Sequence, residues 1–159
     1  MRAIVQRVNR ASVSARSSPD AAMMVAGAID RGLLLLVGVQ AGDTKADAER
    51  LAGKIAALRI FEDAQGRMNL AAGDVGGAIL AIPNFTVACD VGKGRRPSFD
   101  RAAPPQQAAA LFDAMVTRLR DALPVATGVF GAEMAVESVN DGPVTFIVES
   151  RRAAGPAPE

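Results

Sequence analysis

Apolar and polar positions alternate over two stretches near the start of the chain, residues 2–8 and 11–16. Ala3, Val5 and the stem of Arg7 share one side of the first. A period of two marks a half-buried strand, so the two stretches read as strands paired in a hairpin. Ser17-Ser18-Pro19-Asp20 has turn chemistry, and further strands follow at 23–29 and 33–39, split by Asp30-Arg31-Gly32. The run Leu33-Leu34-Leu35-Leu36-Val37, bracketed by Gly32 and Gly38, reads as a buried strand. The period then changes. Ala48, Leu51, Ala52, Ile55 and Leu58 recur at helical spacing. Thr44, with Asp47 three residues on, predicts a capping box at the start of that helix. Residues 61–66 read as the turn that ends that helix and 74–77 as a glycine turn, followed by a short buried strand at 78–82. Pro104-Pro105 opens a second helix whose apolar face is Ala108, Leu111, Phe112, Met115 and Leu119. Strands at 124–130, 134–139 and 144–149 complete the pattern.

Two helices among about eight strands predict a single α/β domain over residues 1–150, built on a curved, largely antiparallel, barrel-like sheet. The Pro/Ala/Gly-rich segment 151–159 is expected to be a disordered tail. Half of the 159 residues are hydrophobic, enough for one sizeable core. No apolar run approaches the ~20 residues of a membrane span. The first residues lack a secretory pattern, and the single Cys89 excludes an intrachain disulfide, so a cytoplasmic location is expected. Cys89, Met68 and Met134 read as core residues and not as ligands.

What the composition lacks narrows the chemistry further. The chain has no His, Tyr or Trp. Serine-protease triads, Cys-His pairs and His-ligated zinc are therefore excluded, and no side chain titrates near neutrality by default. Net charge is +1, so nothing global demands a polyanion. Two local segments are basic: Arg2, Arg7, Arg10 and Arg16 with no acid among residues 1–16, and Lys93, Arg95, Arg96 and Arg101 against Asp100 alone. Each reads either as a solvated face or as a seat for phosphates.

Three segments carry candidate chemistry. In Pro83-Asn84-Phe85-Thr86-Val87 a buried strand stops at a proline, which leaves the Phe85 and Thr86 amides free to hold a carbonyl or an oxyanion. The Thr86 hydroxyl stands at the same point without a histidine to activate it. The bland alternative is a strand end with a satisfied threonine. In Lys93-Gly94-Arg95-Arg96-Pro97-Ser98-Phe99, glycine permits close approach of phosphate, or the segment is an ordinary charged loop. In Asn140-Asp141-Gly142-Pro143-Val144-Thr145 the Gly-Pro bond is one that can be cis at low cost, about 0.5–1 kcal/mol. Such a turn presents a rigid pair of carbonyl oxygens to a ligand, or else it is a β-turn between two strands.

Taken together, these residues resemble the D-aminoacyl-tRNA deacylase family. The likeness runs from Met1-Arg2-Ala3-Ile4-Val5-Gln6-Arg7-Val8 to about Ser150, through Leu58-Arg59-Ile60-Phe61-Glu62-Asp63, Met68-Asn69-Leu70, residues 92–99, 127–134 and 140–145. The resemblance implies a homodimeric hydrolase, with no cofactor and no obligatory metal, that cleaves the ester joining a D-amino acid, or glycine, to the terminal ribose of tRNA. It implies that Gly142 and a cis Pro143 enter the partner subunit's pocket and reject L-amino acids, with Arg7 holding them. It implies that Phe85 and Thr86 cradle the substrate beside Asn84, that Met134 lines the pocket, and that Lys93, Arg95 and Arg96 contact tRNA. The ribose hydroxyl beside the ester assists the attacking water, so Thr86 is expected to tune the site and not to act as nucleophile. One departure stands out: the family motif begins Ser-Gln where this chain has Pro83-Asn84, which removes an N–H and a hydroxyl and shortens the amide. A sister branch that clears certain L-amino acids also has proline there, so L-alanyl-tRNA is an alternative substrate. A non-catalytic nucleic-acid-binding dimer on the same scaffold is a further alternative.

Overall fold

The computed structural model describes residues 1–90, 92 and 95–151. Lys93 and residues 152–159 of the expected tail lie outside the described residues. Arg151 does not behave as a tail residue, because its guanidinium forms a two-point contact with Asp47.

The strands are β1 (Arg2–Arg16), β2 (Met24–Ile29), β3 (Gly32–Gly38), β4 (Phe61–Glu62), β5 (Met68–Leu70), β6 (Ala78–Pro83), β7 (Val125–Thr127) and β8 (Glu133–Glu149). The helices are α1 (Lys45–Ala56) and α2 (Pro105–Arg120). The expected hairpin of residues 2–8 and 11–16 is instead the single strand β1. Val8 and Ala11 are buried and Asn9-Arg10 exposed, so the alternation breaks at a bulge: Val8 faces Asn140 and Arg10 faces Val139, leaving Asn9 unopposed. The stretches expected as two strands around a 140–143 turn are likewise one strand, β8. Both of its halves pair with β1 and not with each other.

β1 organises the sheet. β8 runs antiparallel along one of its edges, while β3 takes the other edge at residues 2–8 and β2 at residues 11–15. β3, β6 and β7 continue side by side in parallel, so the sheet is mixed: antiparallel along β1, as expected, and parallel beyond β3. The parallel pairs follow from the chain path, since α1 lies between β3 and β6 and α2 between β6 and β7. Gly27 of β2 comes so close to β7 that an added Cβ would stand 2.9 Å from the Thr127 carbonyl oxygen, and the sheet nearly closes into a barrel.

The unbroken Leu33–Val37 run now has a cause. Leu33, Leu35 and Val37 face the core under α1 and α2, while Leu34 packs with Val8, Val13, Leu80 and Ile82 on the other side. A strand buried on both faces needs no polar alternation. α1 starts as predicted: the Thr44 side chain accepts from the Asp47 N–H, and the Asp47 carboxylate accepts from the Thr44 N–H at 3.0 Å. α2 begins with Pro105 in its first turn and buries all five predicted apolar residues. Met68, expected in the core, is exposed, and Cys89 is only half-buried. Met68 lies on β5, in the separate two-stranded β4–β5 sheet.

Candidate functional site

The parallel strands β3 and β6 end together, Val37 opposite Pro83, and the Asn84 N–H donates to the Val37 carbonyl at 2.8 Å. That bond is the last rung of the pair. The chain then turns into a one-turn 3-10 helix, Phe85–Ala88, capped by the Asn84 side chain. The turn fits tightly against β3 because residue 38 is glycine: a Cβ there would lie 2.7 Å from the Ala88 nitrogen.

Of the two amides expected to be free, only one is. The Thr86 N–H donates to Asn84 Oδ1 at 3.2 Å, and the Thr86 hydroxyl lies 2.5 Å from the same oxygen. Among the described residues the Phe85 N–H has no acceptor. The Phe85 ring is 61% exposed and tilts against the Phe99 ring at 5.1 Å. Phe99 thus joins the Phe85 turn to the basic loop, whose base is closed by paired backbone bonds between Asp90 and Ser98. Arg95 and Arg96 are exposed on that loop and make no ion pair among the described residues.

A cavity of about 250 Å³ opens beside this turn. Val37, Val39, Pro83, Asn84 and Phe85 form one side, the start of α2 (Pro105, Ala108, Phe112) another, and Phe130 with Gly131 a third. Among the described residues no charged side chain lines it. The sequence reading missed the contribution of α2. Its signal was there in Pro104-Pro105, which fixes where the helix begins and hence where its first turn meets the strand ends. Met134 is not in the wall. Its sulfur accepts the Val129 N–H at 3.4 Å and so supports the segment leading to Phe130.

The Gly142-Pro143 bond is cis. Gly142 has φ +116°, and a Cβ on it would lie 2.6 Å from Val144 Cγ2 and 2.8 Å from the Val144 nitrogen, so only glycine fits. Arg7 is 5% exposed and lies alongside. Its Nη1 donates to the Ile60 carbonyl at 2.6 Å, and its Nε lies 2.8 Å from Asp141 Oδ2. The carboxylate sits off the N–H direction, so that contact is an ion pair, and the Nε–H has no acceptor among the described residues. Gly142 and Pro143 are exposed and do not line their own chain's cavity. The structure therefore brings Asn84, Phe85 and Thr86 together in one place and Arg7, Asp141, Gly142 and Pro143 in another. Among the described residues no three His, Cys, Asp or Glu side chains gather at a point.

A cavity at the carboxyl ends of parallel strands, with Phe85 in its lining and the Phe85 N–H unpartnered among the described residues, suits a small group carrying a carbonyl. The chain belongs to the D-Tyr-tRNA(Tyr) deacylase family, whose model matches residues 4–149. It is 56% identical over 153 residues to a D-aminoacyl-tRNA deacylase of Anaeromyxobacter dehalogenans (strain 2CP-C), covering 96% of this chain and 99% of that one. Against a D-aminoacyl-tRNA deacylase of Geobacter metallireducens the identity is 51% over 156 residues, covering 98% and 99%. Among solved structures, a c-Myc DNA unwinding element binding protein superposes with a TM-score of 0.85 at 37% identity, covering 95% of this chain and 99% of that one.

Proposed function

We propose that this protein hydrolyses the ester of D-aminoacyl-tRNA, and of glycine misattached to tRNA, as a homodimer. Family membership supports the substrate. The observation that carries the reading onto particular residues is that Phe85, whose N–H has no partner among the described residues, lines the cavity. Water attacks the acyl carbon, the carbonyl oxygen takes the negative charge, and the bond to the ribose oxygen breaks. That oxygen leaves with a proton, releasing free amino acid and tRNA. The Phe85 amide is the donor placed for the developing oxyanion, and one such donor is worth roughly 10²–10³ in rate. The ribose hydroxyl next to the ester assists the water, so the protein contributes position and a donor and needs no imidazole.

Dimerisation supplies what one chain lacks. Among the described residues β8 pairs with β1 alone, so its other edge is open on both sides of the extruded 141–144 segment, with Val136, Phe146 and Ile147 exposed. Native proteins cover such edges. We read Gly142 and Pro143 of the second copy as entering this chain's cavity, since they are exposed and do not line their own. There the loop would exclude the side chain of an L-amino acid, while Arg95 and Arg96 face phosphates of the tRNA arm.

The test is deacylation of D-, glycyl- and L-alanyl-tRNA by one preparation, alongside its mass in solution. Rapid D- and glycyl clearance by a dimer is expected. Faster L-alanyl clearance would move the protein to the sister activity that its Pro83-Asn84 allows. The likeness to a DNA unwinding element binding protein favours one other reading, a non-catalytic binding dimer. Salt-sensitive tRNA binding with no turnover of any ester would establish that instead.

A further inference from the structure

Besides the Asn9 bulge, β1 and β8 fall out of step at a second place. Gln6 faces Thr145 and Val8 faces Asn140, so Arg7 alone stands opposite the four residues 141–144. A segment three residues longer than its partner strand has to leave the sheet, and its two ends need holding together. The Asn140 side chain does this. Its Nδ2 donates to the Arg7 carbonyl at 2.8 Å and to the Val144 carbonyl at 3.3 Å. Both partners are carbonyl oxygens, so the atom facing them is the amide nitrogen. One carboxamide therefore ties the start of the extruded segment, the opposite strand and the end of the segment to each other. Arg7 holds the front end, through Asp141. Among the described residues the Asn140 bond is the one side-chain hydrogen bond that reaches Val144.

We propose that Asn140 is a positioning residue that fixes where Gly142 and Pro143 stand and so sets the strictness of D/L discrimination. This rests on the reading of Gly142 and Pro143 as the chirality filter. A clasp of this kind acts on selectivity more than on the reaction itself, because the extruded segment stands apart from Phe85 and the cavity of its own chain.

The experiment uses Asn140→Ala and Asn140→Asp in the full chain. The first deletes the donor. The second keeps the shape but turns a carboxylate oxygen towards two carbonyls, and either variant is informative if the other fails to fold. Single-turnover kcat/KM is measured on D-alanyl-, L-alanyl- and glycyl-tRNA. The D:L ratio within one preparation does not depend on how much of it is folded. That ratio is expected to fall roughly tenfold, the scale of losing one or two modest hydrogen bonds. Glycyl-tRNA, which offers the filter no side chain, should hold within about twofold of wild type on the same scale. Gly142→Ala is the control. If its ratio falls while both Asn140 variants keep the wild-type ratio, the role of Asn140 is overturned. If Gly142→Ala leaves the ratio unchanged too, the filter reading itself fails. A loss shared equally by all three substrates would mark Asn140 as merely structural and also overturn the proposal.

Discussion

The Thr86 hydroxyl donates to Asn84 Oδ1 at 2.5 Å, into the oxygen that also accepts the Thr86 N–H at 3.2 Å. A main-chain N–H only donates, so the shared atom is the carbonyl oxygen of the amide, and the hydroxyl must point its proton there. Thr86 then turns lone pairs, not a proton, outward. An amide oxygen is no base, so nothing readies Thr86 to attack an ester. Thr86→Ala should slow single-turnover deacylation by about tenfold, the scale of one hydrogen bond, without abolishing it. No acyl-enzyme should form in wild type. Total loss of activity together with an acyl-enzyme trapped by acid quench would defeat this account.

Asn84 lends itself to a charge test. Asn84→Asp keeps the acceptor for both Thr86 donors but places a carboxylate beside the Phe85 amide. A negative charge there opposes a developing oxyanion, while the cap of the 3-10 helix survives. The expected result is a fall in kcat of about tenfold or more with the melting temperature nearly unchanged. Equal kcat in Asn84→Asp and wild type would mean that the oxyanion forms elsewhere.

Gly38 holds the site from behind. A methyl at that position meets the Ala88 nitrogen at 2.7 Å and the Val87 carbonyl carbon at 3.0 Å, and both are backbone atoms. The 3-10 turn has to move as a unit, and the Phe85 N–H moves with it. Gly38→Ala should cost about 1–3 kcal/mol of stability, as overpacking does. Its activity per folded molecule, measured below the melting transition, should fall as well. Full activity per folded molecule would show that the turn tolerates displacement.

Much of the fold could be read from local pattern, because helices and buried strands declare themselves over a few residues. The α1 capping box and the apolar face of α2 are of this kind. What escaped was non-local. The break at Asn9 looks the same whether a strand turns back or carries a bulge, and only pairing with β8 decides between them. The same ambiguity hid the extruded 141–144 segment. At the candidate site, the turn that carries Phe85 and Thr86 was legible because Pro83 ends the strand before it. The capture of the Thr86 N–H by Asn84 depends on a side-chain rotamer, which no spacing rule reports. The α2 wall of the cavity depends on where a crossover helix lands.

Arg7 should prove irreplaceable by another cation. It is buried, donates to the Ile60 carbonyl, and lies beside Asp141, with its guanidinium carbon 6.0 Å from the Phe61 ring centre. Arg31 stands 5.3 Å from the same ring. A lysine ammonium is a point charge and cannot reach the carbonyl and the carboxylate together. Arg7→Ala leaves Asp141 without its counter-charge and should cost about 3 kcal/mol in urea unfolding. Arg7→Lys should recover less than half of that. Wild-type stability in Arg7→Lys would show that charge alone suffices.

Acid sensitivity is expected to centre on the α1 cap. The side-chain hydrogen bonds from Arg151, aided by those from Thr44, hold the Asp47 carboxyl well below the usual carboxylate range, against the opposing effect of burial. Unfolding releases Asp47 to an ordinary value of about 3.9. Between the two values the unfolded chain binds a proton that the folded chain refuses, so stability rises with pH there. The contribution is fully present above about pH 5 and is lost as pH falls through 4 towards the folded value. Urea titrations at pH 7 and pH 3 should therefore show a smaller loss for Asp47→Asn than for wild type. Arg151→Ala removes the largest of these influences. Because Arg151 is more than half exposed, its loss should be a small one at pH 7. Its acid-linked loss should lie between those of wild type and Asp47→Asn. An acid-linked loss in Arg151→Ala equal to that of wild type would mean that Thr44 alone sets the Asp47 carboxyl.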